Sequence, residues 1–235
     1  MMPVTVQIRR ASEAFVTRDR GRLTRHGFSF GPHYDPDNVA FGPMVCHDDH
    51  LLSGGRGFAD HSHADLEIVT WVLRGTLTHA DSSSPAGSVG PGSVQVLSAG
   101  SGVVHAETVA PDAGATRFVQ VWLTPDRLGT EPSYAVAPVR LPEGQLVPVA
   151  SGRDPAAAVR LGTAGATFSV ARLPAGGTLA LPDAPLLHVY VATGALRRSS
   201  LAQPLAEGDA FRFTDATGVE VTAAVPTELL VWTFA

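Results

Sequence analysis

The residues best placed for chemistry in this chain are two pairs spaced two apart, His61 with His63 and His105 with Glu107. On an extended strand, residues i and i+2 point to one face. His61–Ser62–His63 can therefore aim two imidazoles at one ion, and Val103-Val104-His105-Ala106-Glu107 can aim an imidazole and a carboxylate. Two such strands side by side would surround one metal with three nitrogens and one oxygen. A set without thiolate suits iron, manganese, nickel, copper or cobalt as well as zinc. Four protein ligands around a six-coordinate ion leave two neighbouring positions for a substrate oxygen and dioxygen. A lone histidine on a strand is usually structural. Two such pairs, each after a glycine-rich turn, carry the metal reading.

Other polar residues are weighed against that set. Continued alternation would put Asp65, Glu67 and Val69 on the ligand side, with Asp65 curling outward where a strand begins. His79, in Thr78-His79-Ala80-Asp81, reads as a strand residue rather than a ligand. In His47-Asp48-Asp49-His50, adjacent side chains point to opposite faces and cannot converge. With His26, His33 and Asp35 it reads as a solvated turn. His188 has no partner two residues away and reads as structural. Cys46 cannot form an internal disulfide, fits a reducing cytoplasm, and reads as a buried, inert thiol. No G-x-S-x-G elbow is present, and Gly54-Gly55-Arg56-Gly57-Phe58 lacks the strand-to-helix context of a phosphate-binding loop.

The elements that must hold these residues are strands. Short runs rich in Val, Leu, Thr and aromatics recur at 66–73, 93–99, 116–124, 188–196 and 228–235, between punctuation from 24 glycines and 18 prolines. Such spacing predicts an all-β sandwich or barrel. Short helices are expected at 11–15 and 154–159. The proline-rich stretch over 131–150 reads as a linker between a unit at 1–130 and one at 151–235. The second unit repeats the order of the first without its histidine pairs, the mark of a degenerate duplication. At 235 residues, 44% hydrophobic and 17% charged, the chain can bury two cores. All 17 basic residues are arginine, net charge is −5, and no basic run exists, which disfavours direct nucleic-acid contact. No apolar run approaches a membrane span. The N-terminus lacks the apolar core of a secretory signal, so a cytoplasmic location is expected.

Gly55, His61, His63, Glu67 and Gly75 match the first cupin motif, with the closing interval one residue longer than usual. More narrowly, His26–Pro36 (HGFSFGPHYDP), Phe41–Met44 (FGPM), His61–Ser82, Pro91–Glu107 and Val119–Leu123 resemble the pirin family in order. The resemblance implies two tandem cupin barrels (double-stranded β-helices), with metal retained only in the first. It also implies one divalent ion, Fe(II) before Zn, Mn, Ni, Cu or Co, on His61, His63, His105 and Glu107. In many cupins the glutamate at the place of Glu67 is the fourth ligand. The pirin resemblance gives that role to Glu107, and Glu67 is then an acceptor orienting an imidazole, or an ion-pair partner of an arginine. Where the family commonly has H-P-H-R, this chain has H-S-H-A, which removes an arginine near the site but no ligand.

The implied activity is cleavage of a flavonol such as quercetin by dioxygen with release of carbon monoxide. Glu107 would accept the substrate's proton, and Val69, Trp71 and Phe118 would line a flat pocket. A metal-dependent redox sensor that binds a protein partner is the alternative. A scaffold keeping the ion for stability is a third reading.

Overall fold

The computed structural model describes residues 5–82, 86–197 and 204–235. Its first twelve strands are β1 (Thr5–Arg9), β2 (Phe15–Asp19), β3 (Arg22–His26), β4 (Met44–Leu52), β5 (Gly57–His63) and β6 (Glu67–Arg74), then β7 (Leu77–Asp81), β8 (Gly87–Val89), β9 (Ser93–Ser98), β10 (Val103–Thr108), β11 (Thr116–Leu123) and β12 (Ser133–Pro138). Longer strands follow at Leu146–Ser151, Ala166–Leu173, Ala184–Thr193, Ala210–Ala216 and Thr227–Phe234. The all-β expectation holds. At 11–15 there is only a 3-10 turn, Ala11–Glu13, before β2 begins. Residues 154–158 form turns and bends instead of a helix. Among the described residues no helix is long and apolar enough to cross a membrane.

The chain divides into two compact units. One comprises Phe15–Val139 with Ala158–Ala164 and contains both histidine pairs. It has a sheet of order β12-β9-β6-β11-β4-β3-β2 and a smaller one of order β5-β10-β7-β8. Its apolar packing includes Leu52, Val72, Leu77, Val89, Val109 and Phe118, with Ile68, Leu97, Ala99 and Val103 in a second group. Alternation produces this: in β10 the burial runs buried, exposed, buried, half-buried, buried, exposed, and the buried positions include His105 and Glu107.

The other unit comprises Met1–Ala14, Arg140–Ala157 and Gly165–Ala235. β1 pairs with Ala210–Ala216 in register Thr5↔Thr214, and the core collects Leu187, Val189, Val191, Phe211, Phe213, Leu229 and Val231.

This division differs from the boundaries read off the sequence. The chain's first strand belongs with its last segments, and residues 131–150 are not a simple linker. They contain β12, which pairs with β9, and most of Leu146–Ser151, which pairs with Ala166–Leu173. Proline obscured both strands. Pro138 ends β12 at a sheet edge, and Pro148 sits where the register of the second pairing shifts. Edges and bulges are the places where a strand tolerates a residue with no N–H.

Candidate metal centre and adjoining cavity

β10 is the inner strand that organises the site. It pairs with β5 on one side, placing His105 opposite His61, and with β7 on the other, placing His105 opposite Asp81 and Glu107 opposite His79. The β5–β10 register shifts between His105 and Glu107, because Ala59 and Asp60 together oppose Ala106. A bulge of this kind leaves local backbone groups outside the ladder and re-aims side chains. Here the Ala59 carbonyl accepts from His61 Nδ1 at 2.8 Å. A carbonyl only accepts, so Nδ1 is the donor and Nε2 is the nitrogen left for a ligand.

The donor atoms of His61, His63 and His105 all lie within 4.8 Å of one another. The ring centroids are 4.8 Å apart for His61–His63, 4.4 Å for His61–His105 and 5.1 Å for His63–His105. Nε2 of His63 and Nε2 of His105 are buried with no hydrogen-bond partner among the described residues. Buried polar atoms are nearly always satisfied, so two bare imidazole nitrogens turned into one small space fit a divalent cation. Burial, reinforced by neighbouring His61, holds His63 down to about 4. Burial, with His61, His63 and His79 adding, holds His105 down to about 3. Both rings are therefore neutral at ordinary pH, as a metal ligand must be.

Glu107 is 1% exposed, and its donor oxygen falls in a second close group, with His79 and His105. Its orientation is set from the facing sheet. Gln95 Nε2 donates to Oε1 at 3.2 Å and Gln120 Nε2 donates to Oε2 at 2.8 Å. Each amide is itself turned by an aromatic donor. Tyr134 Oη donates to Gln95 Oε1 at 3.1 Å, and Trp122 Nε1 donates to Gln120 Oε1 at 2.9 Å. An amide whose oxygen is engaged on one side must present its NH2 on the other. Burial pushes the Glu107 carboxyl up, and the bond from Gln120 partly offsets it. Burial, with Glu107 and Asp81 adding, pushes the Tyr134 phenol up to about 12, so it stays a donor.

His61 and Glu107 open onto a cavity of about 300 Å³. Phe30, Phe58 and Trp122 give it aromatic walls, and Thr24, Asp48 and His50 give it polar groups. Phe30 and Trp122 meet edge to face at 5.6 Å, and the Arg22 guanidinium lies 5.3 Å over the Phe58 ring. Val69, Trp71 and Phe118, expected to line it, are no more than 2% exposed and belong to the packed interior. Alternation alone could not say which apolar residues face a void and which face the opposite sheet.

The other expectations fare unevenly. Among the described residues Glu67 orients no imidazole and pairs with no arginine. It accepts from Ser98 Oγ at 2.8 Å and from the Gly162 amide at 2.9 Å. The alternation argument failed there because β5 ends at His63, Asp65 takes a left-handed φ of 53°, and β6 restarts at Glu67. Asp65 does turn outward, and its carboxylate accepts from the Gly129 amide at 2.7 Å. His47–His50 is not a solvated turn but the buried middle of β4. The opposite-face argument holds within it. Asp48 accepts from His26 Nδ1 at 2.9 Å, whereas Asp49 meets the Arg117 guanidinium at 2.6 Å. Cys46 is buried and its thiol is pushed up by burial, as an inert thiol should be. His188 is buried in the unit without histidine pairs.

The sequence reading missed His79, Asp81, Gln95, Gln120, Trp122 and Tyr134 as site residues. His79 and Asp81 carried the same i, i+2 signal as the two chosen pairs. The glutamines and aromatics carried none, because their role depends on which sheet faces which.

The family model described as Pirin matches residues 8–123. A protein of Mycobacterium tuberculosis named "Putative quercetin 2,3-dioxygenase" is 43% identical over 98% of this chain and 96% of its own length. The Escherichia coli protein named quercetin 2,3-dioxygenase is 37% identical over 46% of this chain and 47% of its own length. Among solved structures, a bacterial pirin of Escherichia coli in complex with nickel(II) superposes with a TM-score of 0.88. It is 24% identical, covering 98% of this chain and 99% of that one.

Proposed function

The chain belongs to the pirin family, and we propose that it is a metal-dependent dioxygenase that opens the central ring of a flavonol such as quercetin, releasing carbon monoxide. The observation that carries the proposal is the convergence of His61, His63 and His105 beside an aromatic-walled cavity into which Glu107 also faces. The names of the relatives point to the same reaction.

In this reading His61, His63 and His105 hold one divalent ion through their bare nitrogens, with Glu107 as fourth ligand. Fe(II) is the first choice for a dioxygen-using site built from imidazole and carboxylate. A bound ion would supply Lewis acidity and an electron path between substrate and dioxygen. The protein's own part is placement and proton management. Phe30, Phe58 and Trp122 would accommodate a flat aromatic ligand. Glu107 accepts the proton of the flavonol 3-hydroxyl. Gln95 and Gln120 hold both carboxylate oxygens so that the proton arrives at a fixed place.

The test is carbon monoxide release and oxygen uptake on aerobic incubation of iron-loaded protein with quercetin. Wild-type protein is expected to produce carbon monoxide, and His61→Ala is expected to lose it along with the metal. Equal signals from wild type and variant would refute the assignment.

A further inference from the structure

We propose that Asp81 and His79 act as a relay that fixes the tautomer of His105, so that its Nε2 is offered to the ion as a bare lone pair. The inference rests on the metal reading above and adds residues to it. Asp81 stands opposite His105, and His79 stands opposite Glu107, across the β7–β10 pairing. A carboxylate only accepts hydrogen bonds, so at 2.8 Å Asp81 Oδ2 takes the Nε2–H of His79. In the proposed relay that is the one N–H of His79, and its Nδ1 is left as an acceptor. That atom lies 3.4 Å from His105 Nδ1, a long but buried contact. The proton of His105 therefore belongs on Nδ1. Its other nitrogen, Nε2, is buried and has no hydrogen-bond partner among the described residues.

His61 reaches the same state by another route, through the Ala59 carbonyl. The relay is the equivalent device for a ligand on an inner strand, whose own backbone carbonyls are used by the ladders on both sides. The ring of His79 is also clamped. It is fully buried and stacked on Tyr134 at 4.3 Å and 7°. An apolar side chain would fill that volume without desolvating an imidazole–carboxylate pair. Partners that orient a ligating histidine in this way typically alter metal affinity about 10–100-fold when removed.

One rival arrangement makes an opposite prediction. The donor atoms of His79, His105 and Glu107 also lie within 4.8 Å of one another. An ion shared by those three through the facing Nδ1 atoms would require His105 to carry its proton on Nε2.

The experiment is a long-range 1H–15N correlation on histidine-labelled protein, ion-free and zinc-loaded. Cobalt(II) titrations of wild type, Asp81→Asn and His79→Phe run beside it. The relay predicts His79 protonated at Nε2 and His105 at Nδ1 in both states. It also predicts cobalt affinity about 10–100-fold weaker in the variants. His105 protonated at Nε2 while cobalt binds overturns the relay and leaves the metal reading standing. So does unchanged affinity in both variants. Wild type that takes up no cobalt overturns the metal reading, and with it the relay's purpose. If the variants do not fold, the wild-type spectrum decides alone.

Discussion

At the scale of single residues, the site shows how a buried carboxylate is held by groups on the facing sheet. Glu107 owes its orientation to two glutamines, and each glutamine owes its orientation to an aromatic donor on the same sheet. Removing the phenolic hydroxyl with Tyr134→Phe leaves Gln95 Oε1 without that donor. It should cost about 1–2 kcal/mol of stability, read from urea unfolding, and the Gln95 side-chain amide resonances should shift. Loss of stability with the amide unmoved would deny the hydroxyl its orienting role. A second residue-scale expectation concerns His50, buried on β4 and bonded to Thr24 Oγ1 at 2.8 Å. Burial is the largest influence and lowers it. Asp48 and Asp49 act the other way, and His26 and Arg22 add to the lowering. The folded protein therefore keeps His50 neutral where the unfolded chain, near 6.5, takes up a proton. The associated stability is present above 6.5 and is lost as pH falls toward the lower folded value. His50→Gln should flatten the acid side of the stability–pH curve, and a curve parallel to wild type would contradict this.

At the scale of elements, the site depends on how closely β5 approaches β10. A Cβ on Gly57 would run into the Glu107 carbonyl, and would sit 2.7 Å from the Thr108 Cα. Both obstacles are backbone, so neither can swing aside. Gly57→Ala should push the strands apart, cost more than about 2 kcal/mol as an overpacking defect, and lower metal stoichiometry as His61 moves from His105. Full metal content together with undiminished stability would show that the pairing has slack. Gly75 tests a neighbouring turn without touching the ligands. Its φ is +80°, and a Cβ there would strike the Thr116 hydroxyl. Gly75→Ala should destabilise by at least about 1 kcal/mol through left-handed strain alone, with metal stoichiometry kept in the folded fraction.

At the scale of the whole molecule, a bound ion should act on the unit that contains His61, His63 and His105. Ion present at about a hundred times its dissociation constant adds about 2.7 kcal/mol. Chelation should lower the melting temperature of the Phe15–Val139 unit, and His61→Ala should abolish the chelator's effect. A chelator shift that survives the substitution would place the ion elsewhere.

Some of this could be read without a structure. The all-β class followed from short alternating runs between turns, and the shared faces of His61 with His63 and of His105 with Glu107 followed from the period of two, because both are local consequences of extended backbone. That His105 stands opposite His61 is decided by the β5–β10 register. Other features required the fold. Only sheet pairing shows that β1 belongs beside Ala210–Ala216, or that the proline-rich stretch supplies β12 and Tyr134. Only the left-handed break at Asp65 explains why Glu67 leaves the ligand face for Ser98 and Gly162. Gln95, Gln120 and Trp122 lie on the sheet facing Glu107, on the strands before and after its own, and no local pattern encodes which of two sheets a residue will meet. Local periodicity determines the direction in which a side chain points. Packing of one sheet on another decides what it finds there.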